Sequence, residues 1–199
     1  MKTIVTTCKS RESCVNALRF QIPDLIVNLD DFTDTGIFKS TAYFNYLRSF
    51  ELAGESEAIF MDDDIRLCDS FMEKAKSEIA KDPGAVITFF SMKKSDPEKG
   101  TRFMPGGAFI GNCCYYLPPG YAKQLAEYGR IWYDKYANGI KAGRVQLHLF
   151  CPIDIMMQDW MKSKRMSYKI VVPNLVQHLG IKSAINPKRN PGRYSPTYI

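Results

Sequence analysis

The sequence has 199 residues, of which 45% are hydrophobic, 13% aromatic and 24% charged. This composition is that of an ordinary globular protein, so it excludes a disordered or fibrous chain, and the length suits one domain with a sizeable core. No apolar run approaches the roughly 20 residues of a membrane-spanning helix, which excludes an integral membrane protein. The N-terminus turns polar after Val5 and lacks the apolar stretch of a signal peptide, so we expect a cytoplasmic protein.

The net charge of +6 is concentrated in the last fifth of the chain. Residues 160–199 contain eight basic residues and no acidic one, whereas the preceding 159 residues contain 19 basic and 21 acidic residues. A basic segment of this kind favours an anionic partner: the phosphates of a nucleotide, a nucleic-acid backbone or an acidic membrane surface.

The six cysteines show no regular spacing and no CxxC pair, and Cys113 and Cys114 are adjacent. A zinc site needs paired ligand spacings, and both histidines lie far from the cysteines in the chain. We therefore interpret the cysteines as small buried apolar residues in a reducing compartment.

The first 90 residues alternate between strand and helix signals. Short β-branched or apolar runs predict strands at residues 2–7, 24–29, 58–61 and 85–90. Apolar residues at helical spacing predict helices at residues 9–20 and 38–53, and a third helix is predicted from a cap at Asp69 to about Ala80. Gly54 and the Asp-Pro-Gly sequence at 82–84 end the second and third helices. This alternation predicts a parallel α/β sheet.

The pattern changes after Phe90. A charged loop (92–102) and a sharp turn (105–107) precede a long predicted strand at 108–117, either antiparallel or at the sheet edge. The remaining predicted elements are helices at 118–128, 132–141 and 152–162 and a last strand at 168–172. From Pro173 onward, Pro, Gly and Asn recur, which favours a loop or lid over regular structure.

Three consecutive carboxylates, Asp62, Asp63 and Asp64, follow the apolar run Ala-Ile-Phe-Met. The carboxyl edge of an open α/β sheet is where ligands bind. Adjacent like charges are unfavourable unless a cation neutralises them, and oxygen ligands suit Mg²⁺ or Mn²⁺ held jointly with substrate phosphates. The alternative is a solvated turn with helix caps.

The stretch AIFMDDDIRL resembles the apolar strand and DxD motif of GT-A glycosyltransferases. Further along, VVPNLVQHLGIKS is similar to a segment near the end of the branching N-acetylglucosaminyltransferases, and PGGAFIGN and PIDIMMQDW lie between them in the family's order. The resemblance implies an α/β, GT-A-like (Rossmann-like) mixed sheet flanked by helices, with a C-terminal lid segment. It divides a single domain, 1–199, into a nucleotide-binding half (1–90), an acceptor half (91–172) and a basic lid (173–199).

The resemblance implies a Mn²⁺ or Mg²⁺ ion that bridges the DxD carboxylates and the diphosphate of a nucleotide sugar, with UDP-sugar as the expected donor. Asp64 is the implied direct metal ligand, and His178 completes the metal or diphosphate site. Asp62 then contacts the ribose or a metal-bound water. Lys182 and Ser183 are expected to hold phosphate oxygens.

Other donor contacts are expected in the first half of the chain. In such enzymes the base and ribose dock at the end of the first strand, where Thr6, Thr7 and Arg11 lie, although a strand-to-helix cap would explain these residues too. Arg48, on the next predicted helix, either reaches the diphosphate or lies on the surface. These candidates are Thr6, Thr7, Arg11, Asp31 (or its neighbour Asp30) and Arg48.

An inverting transferase needs a carboxylate that deprotonates the acceptor hydroxyl. Asp154 matches the position of that base in the family, and Asp159 is the rival on the same helix. Gly106 and Gly107 are interpreted either as backbone that approaches the donor sugar or as a structural turn. Aromatic residues available for stacking on a sugar or base, or for filling the core, are Trp132, Tyr133, Tyr136 and Trp160.

The function predicted from these features is metal-dependent transfer of a sugar from a nucleotide-sugar donor to an acceptor hydroxyl, with inversion. The acceptor is a saccharide or lipooligosaccharide, or a hydroxymethylated base in DNA, and a phage or bacterial source fits the small size and basic tail. The alternatives are a nucleotidyltransferase, a Mg²⁺-dependent phosphohydrolase or nuclease, and a non-catalytic nucleic-acid-binding module.

Overall fold

A computed structural model describes residues 1–30, 40–110, 113–141, 153–181 and 193–199. The strands are β1 (Lys2–Cys8), β2 (Ile26–Asp30), β3 (Ala58–Asp62), β4 (Ile65–Leu67), β5 (Val86–Thr88), β6 (Arg102–Pro105), β7 (Cys114–Leu117), β8 (Ser167–Ile170) and β9 (Val176–His178). The helices are α1 (Glu12–Gln21), α2 (Ser40–Ala53), α3 (Phe71–Lys81), α4 (Asp96–Lys99), α5 (Tyr121–Lys141) and α6 (Ile153–Ser163). In these ranges no helix is both long and apolar enough to cross a membrane.

The main sheet has seven strands in the order β2-β1-β3-β7-β5-β8-β6. Strands β2, β1 and β3 run parallel, and so do β5 and β8, but β7 lies antiparallel between β3 and β5. Strand β6 is antiparallel to β8, at the edge of the sheet. The predicted mixed sheet flanked by helices is therefore confirmed. Strands β1, β2, β3 and β5 share one direction, as predicted for the first 90 residues, but the antiparallel β7 separates β3 from β5.

The sheet carries a hydrophobic core on each face. Ile4 and Val5 are neighbours on β1 and are both fully buried, but they belong to different cores because successive side chains of a strand point to opposite faces. Ile4 packs in the core that α2, α5 and α6 share, represented by Leu47. Val5 packs in the core beneath α1 and α3, represented by Phe71. Both faces are thus covered, and polar groups that need access must lie at the sheet edges.

Several local predictions differ from the structure. Asp69 does not cap α3, because the N-cap residue is Ser70, which has a left-handed backbone and makes no side-chain cap. The strand predicted at 108–117 is antiparallel, one of its two predicted alternatives, but it is shorter and lies inside the sheet: a 3-10 turn spans Gly106–Ala108, and β7 begins only at Cys114. The two predicted helices at 118–128 and 132–141 form one continuous helix, α5. Cys68, Cys113 and Cys114 are buried, as predicted, whereas Cys8 and Cys14 are only half-buried and Cys151 lies outside the described residues.

The chain after Pro173 is more ordered than a loop or lid. Strand β9 pairs antiparallel with β4, so that Ile65 lies opposite His178. The end of the chain is held against this pair by the buried Ser195: its backbone N–H donates to Gln177 Oε1 (2.7 Å), and its hydroxyl bonds Asn174 Oδ1 (2.7 Å). Residues 182–192, the middle of the predicted lid, lie outside the described residues, so the predicted lid motion stays a prediction.

Candidate functional site

Polar side chains collect at the carboxyl edge of β1, β2 and β3. The three strands are parallel and in register there, so that Thr6 on β1 lies between Asn28 on β2 and Asp62 on β3. Strand β3 ends at Asp62, and β4 begins after Asp63 and Asp64. The acidic triplet therefore occupies the turn between two strands, at the edge where the sequence places it.

Arg11 bridges two of the three carboxylates. It ends the 3-10 turn that follows β1, and its Nη1 lies 2.8 Å from Asp63 Oδ1 and 2.6 Å from Asp64 Oδ2. The hydroxyl of Thr7, the neighbouring predicted donor contact on β1, donates to Asp63 Oδ2 at 2.7 Å. Thr7 and Arg11 thus bind the carboxylates, and the direct contact with base or ribose predicted for them stays a prediction.

His178 reaches the same carboxylate oxygen from β9. Its Nε2 lies 3.4 Å from Asp64 Oδ2, while its Nδ1 accepts a hydrogen bond from the Gly180 N–H (3.0 Å). A ring nitrogen that accepts carries no proton, so Nε2 bears the hydrogen and points it at Asp64. The structure therefore brings the two predicted metal ligands together as donor and acceptor of a hydrogen bond.

The carboxylates differ in how well they are stabilised. Burial and the charge of Asp64 raise the pKa of Asp62 well above its usual range, against a short hydrogen bond from Tyr46 Oη. Burial likewise raises the pKa of Asp63 despite the bonds from Thr7 and Arg11. Burial alone would raise the pKa of Asp64 too, but His178 and Arg11 lower it overall. Burial thus favours the neutral forms of Asp62 and Asp63, whereas His178 and Arg11 favour the ionised form of Asp64.

Asp62 and Asp64 offer the oxygen ligands that Mg²⁺ and Mn²⁺ prefer. However, Asp64 Oδ2 already faces Arg11 and the His178 Nε2–H, and Asp62 Oδ1 accepts from Tyr46. Across the part of the chain that the structure describes, no group of three or more His, Cys, Asp or Glu side chains is arranged to hold a metal ion. This arrangement does not fit a bound metal ion, and metal ligation by Asp64 and His178 stays a prediction.

A second polar network lies beside the triplet, between β1, β2 and α2. Thr6 bonds Ser49 (2.8 Å), and the buried Asn28 donates to Ser49 Oγ (2.7 Å) and to Asn45 O (2.6 Å). Arg48 Nε donates to Asn28 Oδ1 (2.6 Å), and its Nη2 donates to Leu29 O. Thr6 and Arg48 therefore hold the ends of β1 and β2 in place, and their predicted donor contacts stay predictions.

The predicted base, Asp154, lies in the first turn of α6, in the other half of the chain. Burial is the main cause of the raised pKa values of Asp62 and of the Cys113 thiol, and the charge of Asp154 adds a smaller contribution to both. Its rival Asp159 instead accepts a hydrogen bond from Trp132 Nε1 at 2.8 Å. Of the two helix carboxylates, Asp154 is the one whose charge acts on the triplet.

Three predicted contact sites belong to the core. A Cβ at Gly106 would meet α6 at Met161 and lie 2.8 Å from Met166 O, so this glycine permits close packing of the turn on α6. Trp132 and Trp160 are 8% and 1% exposed and are unavailable for stacking on a ligand.

Asp31, Lys182, Ser183 and Asn112 lie outside the described residues.

Two aspects of the site were missed by sequence reasoning. Tyr46 is the neighbour that donates to Asp62, and Asp63, the middle carboxylate, is the one that joins Thr7 to Arg11. The second aspect is the C-terminal Tyr194: a Cβ at Gly180 would lie 2.5 Å from its hydroxyl, so its 58% exposed ring covers the turn beside His178. The sequence indicated only that Tyr46 lies on the predicted helix at 38–53, which is α2 and packs against β1.

A shallow cavity of about 570 Å³ lies elsewhere, beside the amino ends of β5 and β8. Its lining includes Asp82, Tyr121 and Arg165 and contains none of the predicted site residues. The polar edge at the triplet is the better candidate because charge, hydrogen bonds and perturbed pKa values converge there.

No protein-family model and no curated protein matches this sequence. Similar solved structures include A197 from STIV, with a TM-score of 0.46 and 9% identity over 89% of this chain and 84% of that chain. They also include mouse xyloside xylosyltransferase 1 in its apo form, with a TM-score of 0.44 and 8% identity over 83% of each chain. Both TM-scores are below 0.5, so neither likeness bears on function.

Proposed function

We propose that this protein is a glycosyltransferase that moves a sugar from a nucleotide-sugar donor, a UDP-sugar, to an acceptor hydroxyl with inversion. The observation that carries the proposal is the meeting of two separate acidic elements at one sheet edge. The triplet at the end of β3 is held by Arg11, just after β1, and by His178 on β9, and the charge of Asp154, on α6, acts on Asp62. A transferase needs a base for the acceptor proton, and carboxylates at the donor edge can accept hydrogen bonds from the ribose hydroxyls, the contact expected of Asp62.

Asp154 is the proposed base. It removes the proton from the acceptor hydroxyl as the oxygen attacks the anomeric carbon, and the bond from that carbon to the diphosphate breaks. The carboxyl edge of β1 and β2 supplies the proposed donor platform, because Thr6, Asn28 and Arg48 hold those two strand ends together. Lys182 and Ser183 remain the proposed diphosphate contacts. Dependence on Mn²⁺ or Mg²⁺ is a prediction of the sequence that no step here requires.

The proposed acceptor is a saccharide, a lipooligosaccharide or a hydroxymethylated base in DNA. The last two are polyanionic, which suits the excess of basic residues in the last fifth of the chain. A cytoplasmic site of action also remains part of this proposal.

The test is a screen of UDP-, GDP- and ADP-sugars for release of the nucleoside diphosphate, with and without saccharide and hydroxymethylated-DNA acceptors. Each reaction is run with Mn²⁺ and with a chelator. We expect acceptor-stimulated release from one donor, lost in Asp154→Asn and retained in Asp159→Asn, which changes the same helix by the same chemistry. Release of nucleoside monophosphate would indicate a phosphohydrolase instead, and no donor binding or turnover in either condition would refute sugar transfer.

A further inference from the structure

Arg11 occupies the position that a cation would take at the triplet. One guanidinium nitrogen, Nη1, faces both Asp63 Oδ1 and Asp64 Oδ2 within 2.8 Å. The Arg11 side chain is only 12% exposed, and the two carboxylates are 6% and 10% exposed, so water screens these ion pairs weakly. The contact spans more than 50 residues of sequence and is therefore a product of the fold.

We propose that Arg11 is the resident counter-cation of Asp63 and Asp64, so that these carboxylates bind a divalent metal ion only when the guanidinium is removed. The proposal does not depend on sugar transfer, because it concerns only the cation that neutralises the cluster.

The fold holds Arg11 in place independently of the ion pairs. The short 3-10 turn Lys9–Arg11 follows β1 directly, and Thr7, the penultimate residue of β1, is itself bonded to Asp63. Arg11 is therefore tethered beside the carboxylates at a high effective concentration, whereas a metal ion must come from solution and lose its water ligands. An arginine also stays charged at any accessible pH.

The neighbours of Asp64 also favour Arg11 over a metal ion at this site. Its Oδ2 is the oxygen that faces both Arg11 and the His178 Nε2–H. His178 offers a hydrogen rather than a lone pair on that side, because its Nδ1 is occupied by the Gly180 amide. A metal ion at Asp64 Oδ2 would have to displace the Arg11 guanidinium and would face the hydrogen on His178 Nε2. Removing Arg11 leaves the carboxylates with excess negative charge, the condition that favours a divalent ion.

Mn²⁺ binding, measured by electron paramagnetic resonance of free Mn²⁺, tests this proposal on the full chain without a donor. We expect the wild type to bind Mn²⁺ weakly and Arg11→Met to bind it roughly tenfold more tightly or better, because one positive charge leaves the cluster. Arg19→Met is the matched control: it removes an exposed arginine from α1, the helix that follows Arg11, and should leave Mn²⁺ affinity unchanged. Adding Asp64→Asn to Arg11→Met should abolish the gain.

Thermal unfolding gives a second measurement that needs no activity. Arg11→Met should melt below the wild type in chelator and recover in Mn²⁺, since the ion replaces the missing charge. Tight stoichiometric Mn²⁺ binding by the wild type that Asp64→Asn removes would overturn the proposal, and this titration decides the matter even where Arg11→Met fails to fold. Equal Mn²⁺ affinity of Arg11→Met and wild type would overturn it as well. Failure of the nucleotide-sugar screen would leave this result untouched.

Discussion

Two clusters in this molecule place one basic residue between two carboxylates. In the triplet, Arg11 bridges Asp63 and Asp64. On β8, the buried Lys169 lies 2.9 Å from both Glu78 and Asp82, which come from α3 and the residue after it. Their local chemistry is alike, so the difference between the clusters lies in what surrounds them.

The pKa directions show that difference. Burial alone would raise the pKa of Glu78 and lower that of Lys169, but their hydrogen bonds and charges reverse both effects, so both groups are held ionised. In the triplet, burial raises the pKa values of Asp62 and Asp63 although cationic and hydroxyl donors are present. The Lys169 cluster holds α3 on the sheet with its groups ionised, whereas burial in the triplet favours the neutral forms of Asp62 and Asp63, a perturbation that is common at functional sites.

Asp154→Asn provides the strongest test that the chemistry lies at the triplet edge. We expect transfer to fall by about 10³-fold with donor affinity nearly unchanged, because a base acts on the acceptor proton in the chemical step. Single-turnover rates and donor titrations separate the two effects. Asp159→Asn should retain transfer and lose at most about 1 kcal/mol of stability, because the asparagine oxygen still accepts the Trp132 hydrogen bond but without the negative charge. A dead Asp159→Asn and an active Asp154→Asn would reverse the assignment.

Asp64→Asn should lower turnover by about 100-fold while the protein stays folded. The amide keeps the shape of the side chain but loses the charge that orients Arg11 and His178 at the donor edge. Steady-state turnover and circular dichroism measure the two parts of this expectation. Asp69→Asn, an exposed carboxylate just beyond β4, is the control and should behave as wild type. Full activity in Asp64→Asn would show that the triplet has no part in the mechanism and that the two clusters do not differ in function.

Lys169→Met should have the opposite profile, with lost stability and normal turnover. Removing the buried cation leaves Glu78 and Asp82 facing each other, at a cost of about 2 kcal/mol; this is less than for a fully buried pair because Asp82 is partly exposed. Urea unfolding measures it. Lys81→Met, which removes an exposed partner of Glu78, should cost less than about 0.5 kcal/mol. A folded Lys169→Met protein without turnover would show that both clusters serve function.

Glu78→Gln should produce the smallest effect, visible in the pH dependence of stability. A carboxyl group whose pKa is lowered by folding contributes stability above its unfolded pKa of about 4.3, and that stability is lost as the pH falls through the lower folded value. Glu78→Gln should therefore lose about 0.5–1 kcal/mol at neutral pH and a smaller amount at about pH 3, below the unfolded pKa. Urea unfolding at the two pH values, with the exposed Glu73→Gln as control, measures the change; a loss that is the same at both would contradict it.

Elements with strong local signals were predictable. The apolar runs of β1, β2 and β3 and the helical spacing of α2 lie within a few residues of their predicted bounds, and Gly54 ends α2 with a positive φ of 61°. The three-residue strands β4 and β9 were missed because so few residues carry no periodicity, and each forms only by pairing with the other. The central position of β7 is likewise a property of the whole sheet.

The candidate site likewise combines features that the sequence predicts with features that only the fold creates. The carboxylates at the end of β3 were predictable because an apolar run ends there in three acidic residues. The ion pairs of Arg11 were not predictable, because Asp63 and Asp64 are distant from it in the sequence and come close to it only when β1 pairs with β3. Gly106 illustrates the reverse error: Gly-Gly is equally compatible with ligand approach and close packing, and only the position of α6 distinguishes them.

The pairing of β4 with β9 has a consequence for the nascent chain. Arg11 precedes the triplet in the sequence, and His178 follows it at a long distance. As the chain leaves the ribosome, Asp63 and Asp64 therefore emerge with Arg11 already available, while the strand that carries His178 has yet to be translated. The order of translation therefore makes Arg11 available to the carboxylates before His178.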